Sequence, residues 1–469
     1  MKSLPVLIPV LIAGLGGGAL VAFFRTPPVS LEVRVPSADG GGERAIMGKG
    51  VFTPGAGTPS ALPGAWPCFR GPNRDNICTD PVPLADKWPA GGPRPLWSIP
   101  MGEGYASPAV LNGRAYVLDY DRKNKSDVLR CLSLDTGEDI WRYSYGVEVL
   151  RNHGMSRTVP AVTDKYVVSL GPKCHVLCLD SQRGAMRWTI DLVGQYGTKV
   201  PQWYAGQCPL IDEGAAILAP AGRVLLIAVD CETGRVLWQT PNPRAWQMSH
   251  ASVTPMEFAG RKMYVYSANE GTVGVDARDG RLLWETDANW GAPTYWGIKP
   301  SVVPSPVVLP EGRIFLCGGY NAGSKMIRLK EAGGRLVPEL VFSLPAEAAG
   351  SEHFGVEQQT PVFYEGYLYG IRRPADELVC MDLAGKVKWT SGERRFGLGP
   401  LLIAGGMIYA MDDNGLLSLV RATPEKYEPL AEAKVLSGPD SWGPLVIVAG
   451  RLLARDMNNM VCLDVGRKP

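Results

Sequence analysis

Three of the four histidines, His153, His250 and His353, stand five to eight residues before a proline, respectively Pro160, Pro255 and Pro361. Around them, in the same kind of pre-proline segment, fall Arg157, Trp203, Tyr204, Trp246, Trp290, Tyr295, Trp296, Glu357, Gln358 and Gln359. Aromatic faces with a few hydrogen-bonding groups suit a flat cofactor, a sugar or a peptide. Aromatics plus arginine are also what protein interfaces concentrate. A third reading makes these segments a filling for the middle of the fold, with Trp and His satisfying buried backbone groups. Metal and nucleophile chemistry find less support, because no His is paired by spacing with a plausible Cys, Asp or Glu ligand. Cys174 and Cys178 flank His175, yet residues four apart on a strand lie about 13 Å apart on one face, too far for one ion. GGYNAGSK (318–325) lacks the spacing of a phosphate-binding loop and reads as a turn.

What must position these residues is a repeat. Gly-x-x-x-Trp recurs at Gly137/Trp141, Gly184/Trp188, Gly234/Trp238, Gly280/Trp284 and Gly385/Trp389, each with an Asp shortly before the glycine: Asp135, Asp180, Asp230, Asp276 and Asp382. Asp caps a tight turn and Gly supplies its positive φ, so each copy predicts an antiparallel hairpin. Before the Asp comes a small residue next to an apolar one, as in Ser133-Leu134, Cys178-Leu179, Ala228-Val229, Gly274-Val275, Cys380-Met381 and Cys462-Leu463. A large Trp filling the space left beside a small residue fits close packing on one face.

Prolines count the units. Pro108, Pro160, Pro209, Pro255, Pro306, Pro361, Pro400 and Pro444 each open one, as the first residue of a strand can without losing a ladder donor. A period of about 39–55 residues with four short strands per unit predicts an all-β, eight-bladed β-propeller of four-stranded antiparallel blades. The last unit ends at Pro469 with no Trp strand, whereas Pro95-Leu96-Trp97-Ser98 is an orphan upstream of the first. Trp97 is therefore expected to complete blade eight and close the ring. The connections from each Trp to the next proline hold 16 to 21 residues after Trp141, Trp188, Trp238 and Trp284, but 10 after Trp97 and Trp389. A mouth with its long loops on one side follows.

Residues 4–24 carry no charge and lie between Lys2 and Arg25. At about 1.5 Å per residue they span a bilayer as a helix, so residues 1–25 read as a signal anchor or, alternatively, a cleaved signal peptide. Residues 26–63, rich in Pro and Gly, read as a flexible tether, and 64–469 as the propeller. A formal net charge of +2 and the lack of a basic cluster exclude nucleic acid as a partner. Of the ten cysteines, Cys68 and Cys78 are the pair best placed for a disulfide, while those at the small repeat position read as buried thiols.

The opening WPCFRGPN (66–73), then GYASPAV (104–110) and the Asp-x-x-x-Gly-x-x-x-Trp units, resemble the PQQ-like β-propeller repeat family, which includes BamB-like scaffolds and the propellers of quinoprotein alcohol dehydrogenases. The resemblance implies that the Gly/Trp pairs, with Trp97, dock neighbouring blades. For the enzymes it implies a vicinal Cys-Cys pair beside the quinone and calcium ligands around it. This chain has no Cys-Cys dipeptide and no Cys-x-x-Cys-His. The expectation is an exported, membrane-tethered, non-catalytic protein-binding scaffold of the bacterial envelope, with the propeller in the periplasm, an envelope protein as partner, no metal and no cofactor. A PQQ-dependent oxidoreductase or a small-molecule-binding propeller is the alternative.

Overall fold

The computed structural model describes residues 47–151, 153–287, 302–320, 322–344 and 354–467. They form eight sheets, each built on four consecutive antiparallel strands except the last. Blade 1 runs Ala109–Leu111, Arg114–Asp121, Ser126–Ser133 and Asp139–Gly146, and the next six repeat the pattern from Ala161 to Lys434. Blade 8 takes three strands from Val446–Val448, Arg451–Arg455 and Asn459–Asp464 and a fourth from Arg94–Pro100. In that pairing Trp97 stands opposite Cys462, so the ring closes as the orphan tryptophan required. All eight prolines fall at or beside the start of a blade's first strand.

The Trp lies across from a small residue in every blade that has one: Cys131/Trp141, Cys178/Trp188, Ala228/Trp238, Gly274/Trp284, Cys380/Trp389 and Cys462/Trp97. In blade 1 the small residue is Cys131 rather than Ser133. Ser133 instead takes the turn position that Asp holds elsewhere, its carbonyl accepting from Gly137 N as Asp180 does from Gly184.

Each ring then reaches forward onto the next blade. A Cβ on Gly137 would meet Trp97 at 2.8 Å, one on Gly184 would meet Trp141 at 2.8 Å, and one on Gly234 would meet Trp188 at 2.7 Å. Gly280 lies against Trp238 in the same way. The indole N–H of Trp97, Trp188 and Trp238 donates to the carbonyl three residues before that glycine, on Leu134, Cys231 and Ala277. Trp141 and Trp284 differ: the Tyr116 hydroxyl donates to Ser181 O, the carbonyl that matches Trp141, whose indole N–H is left without a partner, and the Trp284 indole N–H donates to Met263 Sδ within its own blade. Blade 5 has no Gly/Trp pair. Its hairpin Ser324–Ala332/Arg335–Leu344 turns at Gly333-Gly334, and Phe342 takes the ring's place against Gly385.

Part of the segment read as a tether is built onto the propeller. Val51–Pro54 adds a fifth strand to the outer edge of blade 1, and Phe52 joins Trp141 over Gly184. The added strand covers an edge that would otherwise offer unpaired backbone groups. Residues 1–46, including the apolar run, lie outside the described residues. Among the described residues no helix is long and apolar enough to cross a membrane. All ten cysteines are free thiols, Cys68 and Cys78 included; their sulfurs reach Gly71 O and Ile447 O instead of each other.

Gly234 has φ +72° and Trp188 in van der Waals contact, whereas Gly333 has φ +57° and open space. Gly234→Ala is expected to cost about 2–4 kcal/mol, from both the left-handed backbone and overpacking. Gly333→Ala should cost only the backbone part, about 1 kcal/mol. Urea-unfolding midpoints check the contrast, and equal losses would remove the ring contact as the cause.

Candidate functional site

The residues just before the strand-opening prolines do two jobs. Small hydroxyl and thiol side chains tie blade to blade around the channel. Val159 N donates to Cys208 Sγ (3.2 Å), Cys208 N to Ser252 Oγ (2.9 Å), Ser252 N to Ser305 Oγ (2.9 Å), and Ser305 N to Thr360 Oγ1 (2.9 Å). Proline fixes the chain immediately after most of these, so each donor and acceptor is presented at the same height in successive blades.

The longer side chains of the same segments face a cavity of about 230 Å³, to which all eight blades contribute. His153, Arg157, Trp203, His250, Gln358 and Gln359 line it, together with Glu357. Tyr204 and Trp246 do not. Tyr204 is fully buried with φ +67°, and its hydroxyl donates to Leu150 O at 2.7 Å. Trp246 is packed over Gly271 in blade 4, with the Arg244 guanidinium on its outer face. Tyr295, Trp296 and His353 lie outside the described residues. The sequence reading missed Tyr105, Tyr320, Trp442 and Phe69. Tyr105 and Trp442 precede Pro108 and Pro444, so the same pre-proline rule would have found them had short connections been counted.

Below the cavity the channel is filled by the WPCFRGPN segment. Trp66 bridges to Val110 of blade 1, and Pro67 O accepts from Val162 of blade 2. Arg74 donates to Ile211 O of blade 3, and Ile77–Cys78 pairs in parallel with blade 7. Arg70 is buried at the centre, donating to the carbonyls of Arg74, Asp75, Thr360 and Pro361 at 3.0–3.1 Å. Burial pulls its pKa down to about 10, but four acceptors keep the cation satisfied. Phe69, beside it, forms part of the cavity wall.

Tyr105 and Trp442 pack with centroids 5.1 Å apart on one wall, and His153 and Trp203 meet edge to face at 4.8 Å on another. Glu357 is bound to Arg373 at 3.0 Å; burial still lifts its pKa, with the Arg373 charge opposing. His250 is held neutral, its pKa driven to about 3 by burial first and by the Arg157 charge second. Its Nε2 is buried without a partner. Burial pushes the Tyr320 hydroxyl up to about 12 and Cys208 likewise, so neither offers an anion at neutral pH.

The sequence profile described as "Outer membrane protein assembly factor BamB" matches residues 124–329 and 245–426. The chain belongs to this PQQ-like propeller repeat family. No curated protein matches it in sequence. Among solved structures, BamB from Moraxella catarrhalis superposes with TM-score 0.54 at 13% identity, covering 79% of this chain and 99% of that one. A europium-containing methanol dehydrogenase gives TM-score 0.59 at 11% identity, covering 86% and 90%. The computationally designed Ika8 protein gives 0.52 at 10% identity, covering 79% and 99%. At these identities the likeness is one of fold.

A calcium-bound quinone, which the enzyme side of the family implies, finds a poor fit. Among the described residues no group of three His, Cys, Asp or Glu side chains could hold a metal ion. Among the described residues the one carboxylate that lines the cavity, Glu357, is already taken by Arg373. At about 230 Å³ the space also falls below the roughly 300–1,000 Å³ of pockets that enclose a whole cofactor-sized ligand.

Native His250 stays neutral down to about pH 3, while in the unfolded chain it protonates near pH 6.5. The unfolded state therefore binds the extra proton throughout that window, and stability falls as the pH drops through it. His250→Gln should show a smaller loss of melting temperature between about pH 7 and about pH 4.5 than the wild type. Superimposable profiles would show that the imidazole is not sealed from water.

Proposed function

We propose that the chain is a non-catalytic binding scaffold whose docking site is the aromatic mouth of the propeller, held off a bacterial membrane by its N-terminal segment. One observation carries this reading: eight blades converge on a closed-bottomed cavity of aromatic, amide and arginine side chains in which, among the described residues, no metal set or free acid–base pair is assembled. Such a lining recognises by shape, stacking and hydrogen bonding. Kinship with the BamB family supports a protein partner in the envelope. The uncharged run 4–24 between Lys2 and Arg25 supports export and membrane attachment.

The alternative, a PQQ-dependent oxidoreductase, draws on the fold shared with the methanol dehydrogenase and on the flat walls made by Trp203, Tyr105 and Trp442. It stands second because the donor set around those walls does not suit the metal and quinone together.

Two measurements test the reading. Capture from envelope extract by wild type should recover partners that Trp203→Ala plus Trp442→Ala loses, while Leu340→Ala, on the exposed outer strand of blade 5, keeps them. Identical recovery by all three would remove the mouth as the docking surface. Fractionation with mass spectrometry of the mature N-terminus should find the run 4–24 intact and the protein in the membrane pellet; a soluble protein starting beyond residue 25 would replace the anchor with a cleaved signal.

A further inference from the structure

Four deeply placed arginines show how this protein treats a buried cation. Arg130 is bound by Asp119 at 3.2 Å and Asp139 at 2.9 Å, and Arg372 is paired with Glu377. Arg70 and Arg455 have no carboxylate in direct contact but each donates to four backbone carbonyls. Every one of these guanidinium groups is compensated, as a desolvated charge must be.

Arg157 is not. Its Nη2 donates to Gly154 O at 3.0 Å, the Tyr105 ring lies 5.3 Å from its guanidinium carbon, and its Nε is buried with no partner. Burial depresses its pKa, and the ionisable groups that act on it are the hydroxyls of Tyr105, Tyr320 and Tyr204. Glu357 shares the cavity but is engaged by Arg373. A second unmet group lies beside it, the buried Nε2 of His250. Among the described residues the cavity thus holds a cation without a counter-ion and a neutral imidazole whose Nε2 has no partner.

We propose that this cavity receives the C-terminal carboxylate of an extended peptide, with Arg157 as its counter-ion. The inference rests on the reading of the mouth as the docking site and adds the chemistry recognised there. A carboxylate matches the guanidinium fork as a two-oxygen acceptor. The filled channel beneath, with Phe69 in the cavity wall, prevents a chain from threading through, and about 230 Å³ admits a tip, not a folded surface. A chain end is therefore the part of a protein that reaches Arg157. Trp203, Tyr105 and Trp442 offer flat walls to the last side chain, and Gln358 offers an amide at the lining.

A random hexapeptide library, half free acid and half C-terminally amidated, equilibrated with the immobilised full-length chain and read by mass spectrometry, tests this. Free-acid members should be enriched about tenfold over their amidated twins, the effect of one charge-assisted pair. Arg157→Gln should abolish the preference, and Arg157→Lys, which keeps the charge without the fork, should retain part of it; unchanged melting temperatures establish that both are folded. Equal enrichment of acids and amides overturns the proposal, as does an amidated fraction selected through internal Asp or Glu. Displacement of the bound peptides by dilute acetate alone would make this a small-acid pocket and overturn it too. If envelope partners are captured through the mouth while the library shows no acid preference, the scaffold reading stands and only this inference falls.

Discussion

An indole ring lying flat on the turn of the next blade is the contact on which the molecule depends. It explains why the turn residue is glycine twice over: the backbone must adopt positive φ, and the face where Cβ would sit is occupied by the ring. It also explains why the fourth strand of the last blade comes from the front of the chain. Without Trp97 the turn at Gly137 would be uncovered and two sheet edges would be open. Locking in this way is directional, a blade with a ring gripping its successor, so the ring is closed only when Trp97 makes the final grip. Blades 5 and 7 show the tolerance of the scheme. Phe342 substitutes for one ring, and in blade 7 Ala431 occupies the strand position with no ring at all, while Trp389 is held by Thr423 O and packs on Tyr427.

This constraint is legible in a single sequence because all its parts are local. Proline, glycine and tryptophan each mark a backbone or packing requirement within one hairpin, and the hairpin recurs. The mouth was legible for the same reason, since the segment before each proline must arrive at the same end of the ring. Orientation within a segment was not. Tyr204 adjoins Trp203, but its left-handed backbone turns the ring inward to Leu150, and nothing in the spacing foretells that. Ser133 looked like the small repeat residue because Leu134 and Asp135 follow it; only the strand register, with its bulge after Cys131, identifies the true counterpart.

The channel filling lay further out of reach. Arg70 finds its acceptors at Thr360 and Pro361, some 290 residues on, and a single arginine carries no period that would announce the partnership. The same holds for Val51–Pro54, whose Pro/Gly-rich surroundings read as unstructured. Its order comes from blade 1, which supplies the hydrogen bonds the segment cannot make alone. In both cases segments outside the repeat are ordered by the repeat, so their composition says little about their structure.

Filling one end of the channel gives the propeller a direction. At the closed end Arg70 is bound by four carbonyls; at the open end, among the described residues, Arg157 has no carboxylate and His250 Nε2 no partner. A cation held out of water without compensation destabilises the fold that contains it, and such a group persists only where the surrounding structure can bear the cost. Here the ring of hydrogen bonds from Val159 through Cys208, Ser252 and Ser305 to Thr360 fixes the backbone beneath the cavity. Gly154 and Tyr105 then hold the Arg157 side chain in place. A charge already half-buried and held in place needs little further ordering when an acceptor arrives, so more of the interaction is realised as affinity. The rigidity set by tryptophan on glycine at one end of the blades is thus what allows an unsatisfied group to be kept at the other.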